Sequence, residues 1–148
     1  MSQVLPSELL QVFVDCVEAK DVPSKAHKGD KFTGIVGPLP LNVRDRMFGA
    51  TMGASVRDLV NSCKEEHRAT VTLTFAYVVS SDEATYRRIV DDMALVSEAL
   101  HDIKTSGVTN ADAVLHIEVE PDQEISAGVD ERTLEVARSC AVLYNYGS

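Results

Sequence analysis

From Thr70 to Val79 the chain alternates without a break, Thr70, Thr72, Thr74, Ala76 and Val78 against Val71, Leu73, Phe75, Tyr77 and Val79. Successive side chains of a strand point to opposite faces, so this period of two, rich in β-branched and aromatic residues, predicts a half-buried strand. Ser81 and Asp82 then cap a helix, with Glu83 in its first turn, and Tyr86, Ile89, Met93, Val96, Leu100 and Ile103 step by three and four. That spacing predicts a long amphipathic helix with one apolar stripe. A half-buried strand followed by such a helix must bury the two apolar faces against each other, which restricts the chain to layered architectures.

The segment Thr105 to Asn110 reads as the turn that stops this helix. Ala113, Leu115, Ile117 and Val119 alternate with Val114, His116, Glu118 and Glu120, a second strand. After Pro121 and the turn-rich stretch Asp122 to Asp130, a last run sets Leu134, Val136, Cys140, Val142, Tyr144 and Tyr146 on one face, Arg138 being the polar exception. This third strand is long, and its separation from the second suits an antiparallel hairpin with an extended tip. The second half therefore reads strand, helix, strand, strand.

The first half is written less regularly. Pro6 and Ser7 lead into Leu9, Leu10, Phe13, Cys16 and Val17, an amphipathic helix ending near Lys20. From Asp21 to Pro40 the chain is punctuated by Pro23, Gly29, Gly34, Gly37, Pro38 and Pro40, and reads as one long connection. Leu41 to Arg46 is expected to form a short strand, and Gly49 to Gly53 a flexible loop despite its G-x-x-x-G spacing. Ser55-Val56-Arg57-Asp58 has the form of a helix cap, and Val56, Leu59, Val60 and Cys63 share a helical face. A short helix is favoured there over the strand that the alternation Val56, Asp58, Val60, Ser62 would also allow. At 148 residues and 45% apolar content the expectation is one α+β domain: a mixed or antiparallel sheet packed on a long helix, preceded by an N-terminal helix.

Chemistry is hard to find in this sequence. None of the common phosphate-cradling loops, nucleophile elbows or zinc helices is present. His116, Glu118 and Glu120 project from one face of a strand and could hold a metal, but spacing supplies no fourth ligand, so a solvent face is expected and no cofactor. Glu65-Glu66-His67-Arg68 and the pair Asp91-Asp92 invite the same thought; neighbours on a helix point about 100° apart, so Asp91 and Asp92 cannot share a proton unaided and are read as a solvated helix face. The expectation is a protein that is not an enzyme.

The net charge of −9 argues against attraction to DNA or to anionic lipid, although acidic walls suit a channel through which a polyanion slides. The apolar run Phe75 to Val79 is too short to cross a bilayer, and Met1-Ser2-Gln3 opens without a basic or apolar leader. Cys16, Cys63 and Cys140 form no C-x-x-C pair and no even framework, which suits buried thiols in a reducing cytoplasm and leaves a bridge between subunits open. Lys25, His27, Lys28 and Lys31 make the one positive patch, either a grip on an acidic partner or phosphate, or charge that keeps a loop soluble.

The order Arg68-Ala-Thr-Val-Thr-Leu-Thr-Phe-Ala-Tyr, then the helix from Asp82 to Leu100, then a strand and a long final strand ending in Val142-Leu-Tyr144, is similar to that of tail terminator proteins of tailed bacteriophages. The resemblance spans Arg68 to Tyr146 and, loosely, the N-terminal helix. It implies a virion subunit, made in the host cytoplasm, that forms a closed and usually sixfold ring at the head-proximal end of the tail. Such a ring ends the tail tube and docks to neck or head-completion proteins, with DNA passing through without specific binding. On this reading Tyr144 and Tyr146 lie on an edge open to a neighbouring subunit, the patch Lys25 to Lys31 meets a partner, and Asp122, Glu124, Asp130 and Glu131 face the channel. Another tail-tube or neck subunit, or a small enzyme or ligand-binding domain with a concave pocket, remains the alternative.

Overall fold

The computed structural model describes residues 2–20, 31–60, 64–79, 81–121, 123–128 and 132–147. The chain is an α+β domain built on a seven-stranded mixed sheet. In chain order the elements are α1 (Pro6–Ala19), β1 (Thr33–Val36), β2 (Met47–Met52), β3 (Val56–Val60), β4 (Glu65–Val78), α2 (Asp82–His101), β5 (Val114–Val119), β6 (Glu124–Ala127) and β7 (Thr133–Tyr146).

The middle of the sheet is the antiparallel pair β4 and β7, in register from Glu65 opposite Tyr146 to Val78 opposite Thr133. β2 and β3 follow one another along the far side of β4, and β5 and β6 along the far side of β7; β1 lies outside β2, parallel to it. Alternation explains which residues are inside. Ala69, Val71, Leu73, Phe75 and Tyr77 of β4 are buried, as are Val136, Cys140, Val142 and Tyr144 of β7. Both helices lie on this face. α1 packs against β1 and β2, and α2 reaches β4 and β5, so that their apolar stripes and the sheet share one core.

α2 begins where expected: Ser81 Oγ accepts a hydrogen bond from Ala84 N at 3.2 Å, satisfying one of the orphan amides of the first turn. Ile89, Met93, Val96, Leu100 and Ile103 are buried, whereas Tyr86, at 59% exposure, stands outside the core. α1 opens on Pro6, with Leu5 N donating to Glu8 Oε1 at 2.9 Å. The N-terminal segment is tied to the last strand by Val4 N donating to Asn145 O and Gly147 N donating to Val4 O.

Four expectations are corrected. The stretch Leu41 to Arg46 is not a strand; β2 starts at Met47 and runs through Gly49 to Met52. Gly49 is therefore a strand glycine, needed because a Cβ there would collide with Gly37 O where the chain after β1 crosses over the sheet. Ser55 to Asp58 begins no helix: β3 pairs with β4, and Arg68 Nε donates to Asp58 Oδ1 at 2.8 Å across the ladder. Nor is Asp21 to Pro40 a single connection, since Thr33–Val36 is β1. The hairpin tip between β5 and β7 contains β6.

Candidate functional site

Among the described residues, two polar clusters and one face of the sheet stand out as candidate sites. The first cluster lies inside. Arg46 and Asp92 are both fully buried, and Arg46 Nε and Nη2 donate to Asp92 Oδ2 and Oδ1, each at 3.0 Å. Tyr77 O–H donates to Asp92 Oδ2 at 2.9 Å, and the guanidinium sits 3.9 Å above the Phe32 ring. Phe32, Phe48 and Phe75 pack together beneath it. Arg46 has φ of 60°, a left-handed turn rare for a side-chain-bearing residue, held by Arg46 N donating to Ala76 O. One helical turn back on α2, Arg88 Nη2 donates to Asp45 Oδ1 at 3.3 Å and to Val78 O at 2.9 Å. Two adjacent residues before β2 are thus held by two α2 residues of opposite charge order.

Asp92 is accordingly the strongest correction to the reading of the sequence, which places Asp91-Asp92 on a solvated face. Asp91 is exposed, but Asp92 falls three residues after Ile89 and four before Val96, inside the apolar arc. Burial, then the charge and hydrogen bond of Asp92, push the Tyr77 hydroxyl well above its ordinary range. Sealed from solvent, this cluster has no route to substrate and acts as a structural clamp.

The second cluster joins β4, β7 and the segment before β3. Ser55 Oγ lies 2.8 Å from His67 Nδ1 and 2.5 Å from Tyr144 O–H. The His67 ring stacks on Tyr146 at 3.9 Å, and His67 Nε2 is 3.5 Å from Glu65 Oε2, within ion-pair range but without hydrogen-bond alignment. Glu65 is also held by Arg57 Nε at 2.8 Å. Serine, imidazole and carboxylate thus follow one another in space, an order that nucleophilic catalysis uses. Here, however, the serine oxygen is shared between two groups of the fold. The sequence hides the arrangement because Tyr144 is far in the chain from Ser55 and His67, and nothing in the sequence shows that Glu66 and His67 are strand residues only 9% exposed.

The residues expected to meet partners fare unevenly. Tyr144 is fully buried and Tyr146 half-buried against His67, and β7 is flanked on both sides by other strands, so neither tyrosine lies on an open edge. Lys31 is exposed at the start of the segment leading to β1, while Lys25, His27 and Lys28 lie outside the described residues. Glu124 is exposed at the head of β6; Asp122, Asp130 and Glu131 lie outside the described residues, as does Cys63. His116, Glu118 and Glu120 are exposed, and no group of metal-ligating side chains gathers among the described residues. Cys16 and Cys140 are buried thiols; burial pushes Cys140 up to about 12 and raises Cys16 as well.

The sheet face away from the helices is open in its middle, whereas the segment 37–39 covers it at Gly49, and Ala76, Thr133, Glu66 and Asn145 towards its ends are buried. Thr70, Thr72 and Thr74 alternate across the register with Ala141, Ser139 and Ala137, and Thr51 extends the row. Thr70 and Ala141 are exposed and the others half-exposed. Thr72 Oγ1 and Ser139 Oγ are 3.0 Å apart. By register Glu118, Glu124 and Glu135 stand on the same face, together with Arg68, which Asp58 pairs. At one end a shallow depression of about 400 Å³ includes Ala54, Arg57, Asp58, Arg68 and Thr70.

No helix among the described residues is long and apolar enough to cross a membrane. Neither comparison with protein-family models nor a search of curated proteins finds a match for this chain.

Proposed function

We propose that this chain is a structural virion subunit, one member of a closed ring at the head-proximal end of a phage tail that ends the tail tube and joins it to the neck. The observation that carries the reading is the open sheet face. Both helices cover one side of the sheet, and the other presents short hydroxyl and methyl side chains among carboxylates. A wall of that kind offers DNA neither a cationic hold nor a large apolar one, so a polyanion would pass along it without sticking. The element order shared with tail terminators supports the same reading, and so does the inward use of the polar residues: Arg46, Asp92, Tyr77, Ser55 and His67 are committed to partners within the fold.

The test is light scattering with negative-stain imaging of the purified chain, followed by mixing with tail tubes that lack a terminator. Rings that cap tubes at one end are expected. A protein that stays monomeric at high concentration and leaves tubes uncapped would sink the proposal.

A hydrolytic reading rests on the order Ser55, His67, Glu65. It requires Ser55 to exchange its bond to Tyr144 for a substrate, and it predicts ester hydrolysis that disappears in Ser55→Ala. Tyr144→Phe would then raise the rate by freeing the nucleophile; an inert wild-type protein ends this reading.

A further inference from the structure

Charge is segregated between the two sides of the sheet. From Lys31 to Arg44 the chain carries two basic residues, at the ends of the stretch, and no Asp or Glu; from Glu120 to Glu131 it carries five acidic residues and no Lys or Arg. The first stretch contains β1, the outermost strand beyond β2. The second contains β6, which pairs with β7 on the opposite side of the sheet.

Among the described residues, no further strand pairs with the outer side of β1 or of β6. β1 is parallel to β2, and Thr33 N and Gly37 N bond to Arg46 O and Ala50 O, so the alternate amides of Gly34 and Val36 point away from the sheet. β6 is exposed at all four of its residues, the same length as β1. An open strand edge is a template for pairing unless charge or a covering element blocks it, and within Thr33–Val36 there is no charge.

Apolar groups match as well. Val36, 42% exposed, pairs with buried Ala50, and Ile125, 41% exposed, pairs with buried Val136, so both project on the helix-bearing face. Tyr86 and Val90 lie on the flank of α2 that includes Ser97, which Arg138 of β7 grips through Nη2 at 2.9 Å; they enlarge the apolar patch on the β6 side.

Two different and complementary patches on opposite sides of one molecule fit a heterologous contact, in which each copy uses both and repetition closes a ring. We propose that a second copy of this chain docks its β6 edge on the β1 edge, extending the sheet between subunits. Val36 then lies beside Ile125, and Arg44 faces Glu124. This rests on the ring reading and names the surfaces that close the ring.

The test is sedimentation of the purified chain over a concentration series. Glu124→Lys and Arg44→Glu, both at exposed positions, should each weaken self-association about tenfold or more, and combining them in one chain should restore most of it. In a Cys63→Ser background, oxidised mixtures of Val36→Cys and Ile125→Cys proteins should give a reducible dimer that neither gives alone. Rings that persist unchanged in both charge reversals, without the cross-link, overturn the assignment of edges and leave the ring reading standing. A wild-type monomer at every concentration overturns both.

Discussion

Asp92→Ala is the sharpest perturbation this fold offers. It takes the bidentate carboxylate away from the fully buried Arg46 guanidinium, and leaves the Tyr77 hydroxyl without its acceptor. Removing one partner of a buried ion pair costs about 3–5 kcal/mol, because the charge left behind keeps its desolvation penalty. Single domains are stable by about 5–15 kcal/mol, so the variant should lose about a fifth of its stability or more. In urea, with a slope of about 1–3 kcal/mol per molar, the midpoint followed by circular dichroism should fall by more than about 1 M. The variant Arg46→Met/Tyr77→Phe/Asp92→Leu removes all three of these side chains together and should be less destabilised than Asp92→Ala alone, since none of the three is left without the other two. An Asp92→Ala protein within about 1 kcal/mol of wild type, with an unchanged slope, would refute the argument that this pair is dry and interdependent.

Three further outcomes follow from local geometry. Gly49→Ala should cost about 1–3 kcal/mol, because its Cβ would collide with the backbone oxygen of Gly37; Gly53→Ala, with nothing within 4 Å, serves as the near-neutral comparison in the same denaturation assay. Ser81→Ala should cost about 1 kcal/mol by removing the acceptor for Ala84 N. The Cys140 thiol stays protonated in the fold up to about 12 but ionises from about 9.0 once unfolded. Its contribution is therefore complete below pH 9 and is lost as pH rises towards 12, so urea midpoints should decline over that window, and decline less in Cys140→Ala.

What can be read from the sequence divides along physical lines. β4, α2 and β7 are legible because each buries one face along its whole length, and burial writes a period into the residues. β1 and β2 are not, because their glycines serve neighbours rather than turns: a Cβ on Gly34 would meet Phe48 and Val14, and one on Gly49 the crossing chain. Ser55 imitates a helix cap while its hydroxyl is spent on His67 and Tyr144. Asp92 could be found, since its position within the apolar arc of α2 is visible. Its partner could not, because nothing local couples residue 92 to residue 46. The same limit applies to the Ser55, His67 and Glu65 order and to the charge difference between sheet edges, both of which exist only after strands from distant segments are laid side by side.

The position of β7 orders these events in time. β5 and β6 join the sheet through β7, and β7 joins it through β4, with Glu65 held opposite Tyr146 and Val78 opposite Thr133. Closing loops of that length is slow and precedes any return from packing. A chain emerging from the ribosome can therefore complete α2 early, yet it has no β6 edge to offer until the segment ending at Tyr146 has been inserted. If copies join through β6 as proposed, half-made or truncated chains would lack the surface on which a neighbour could grow, and the topology itself would exclude them from assembly.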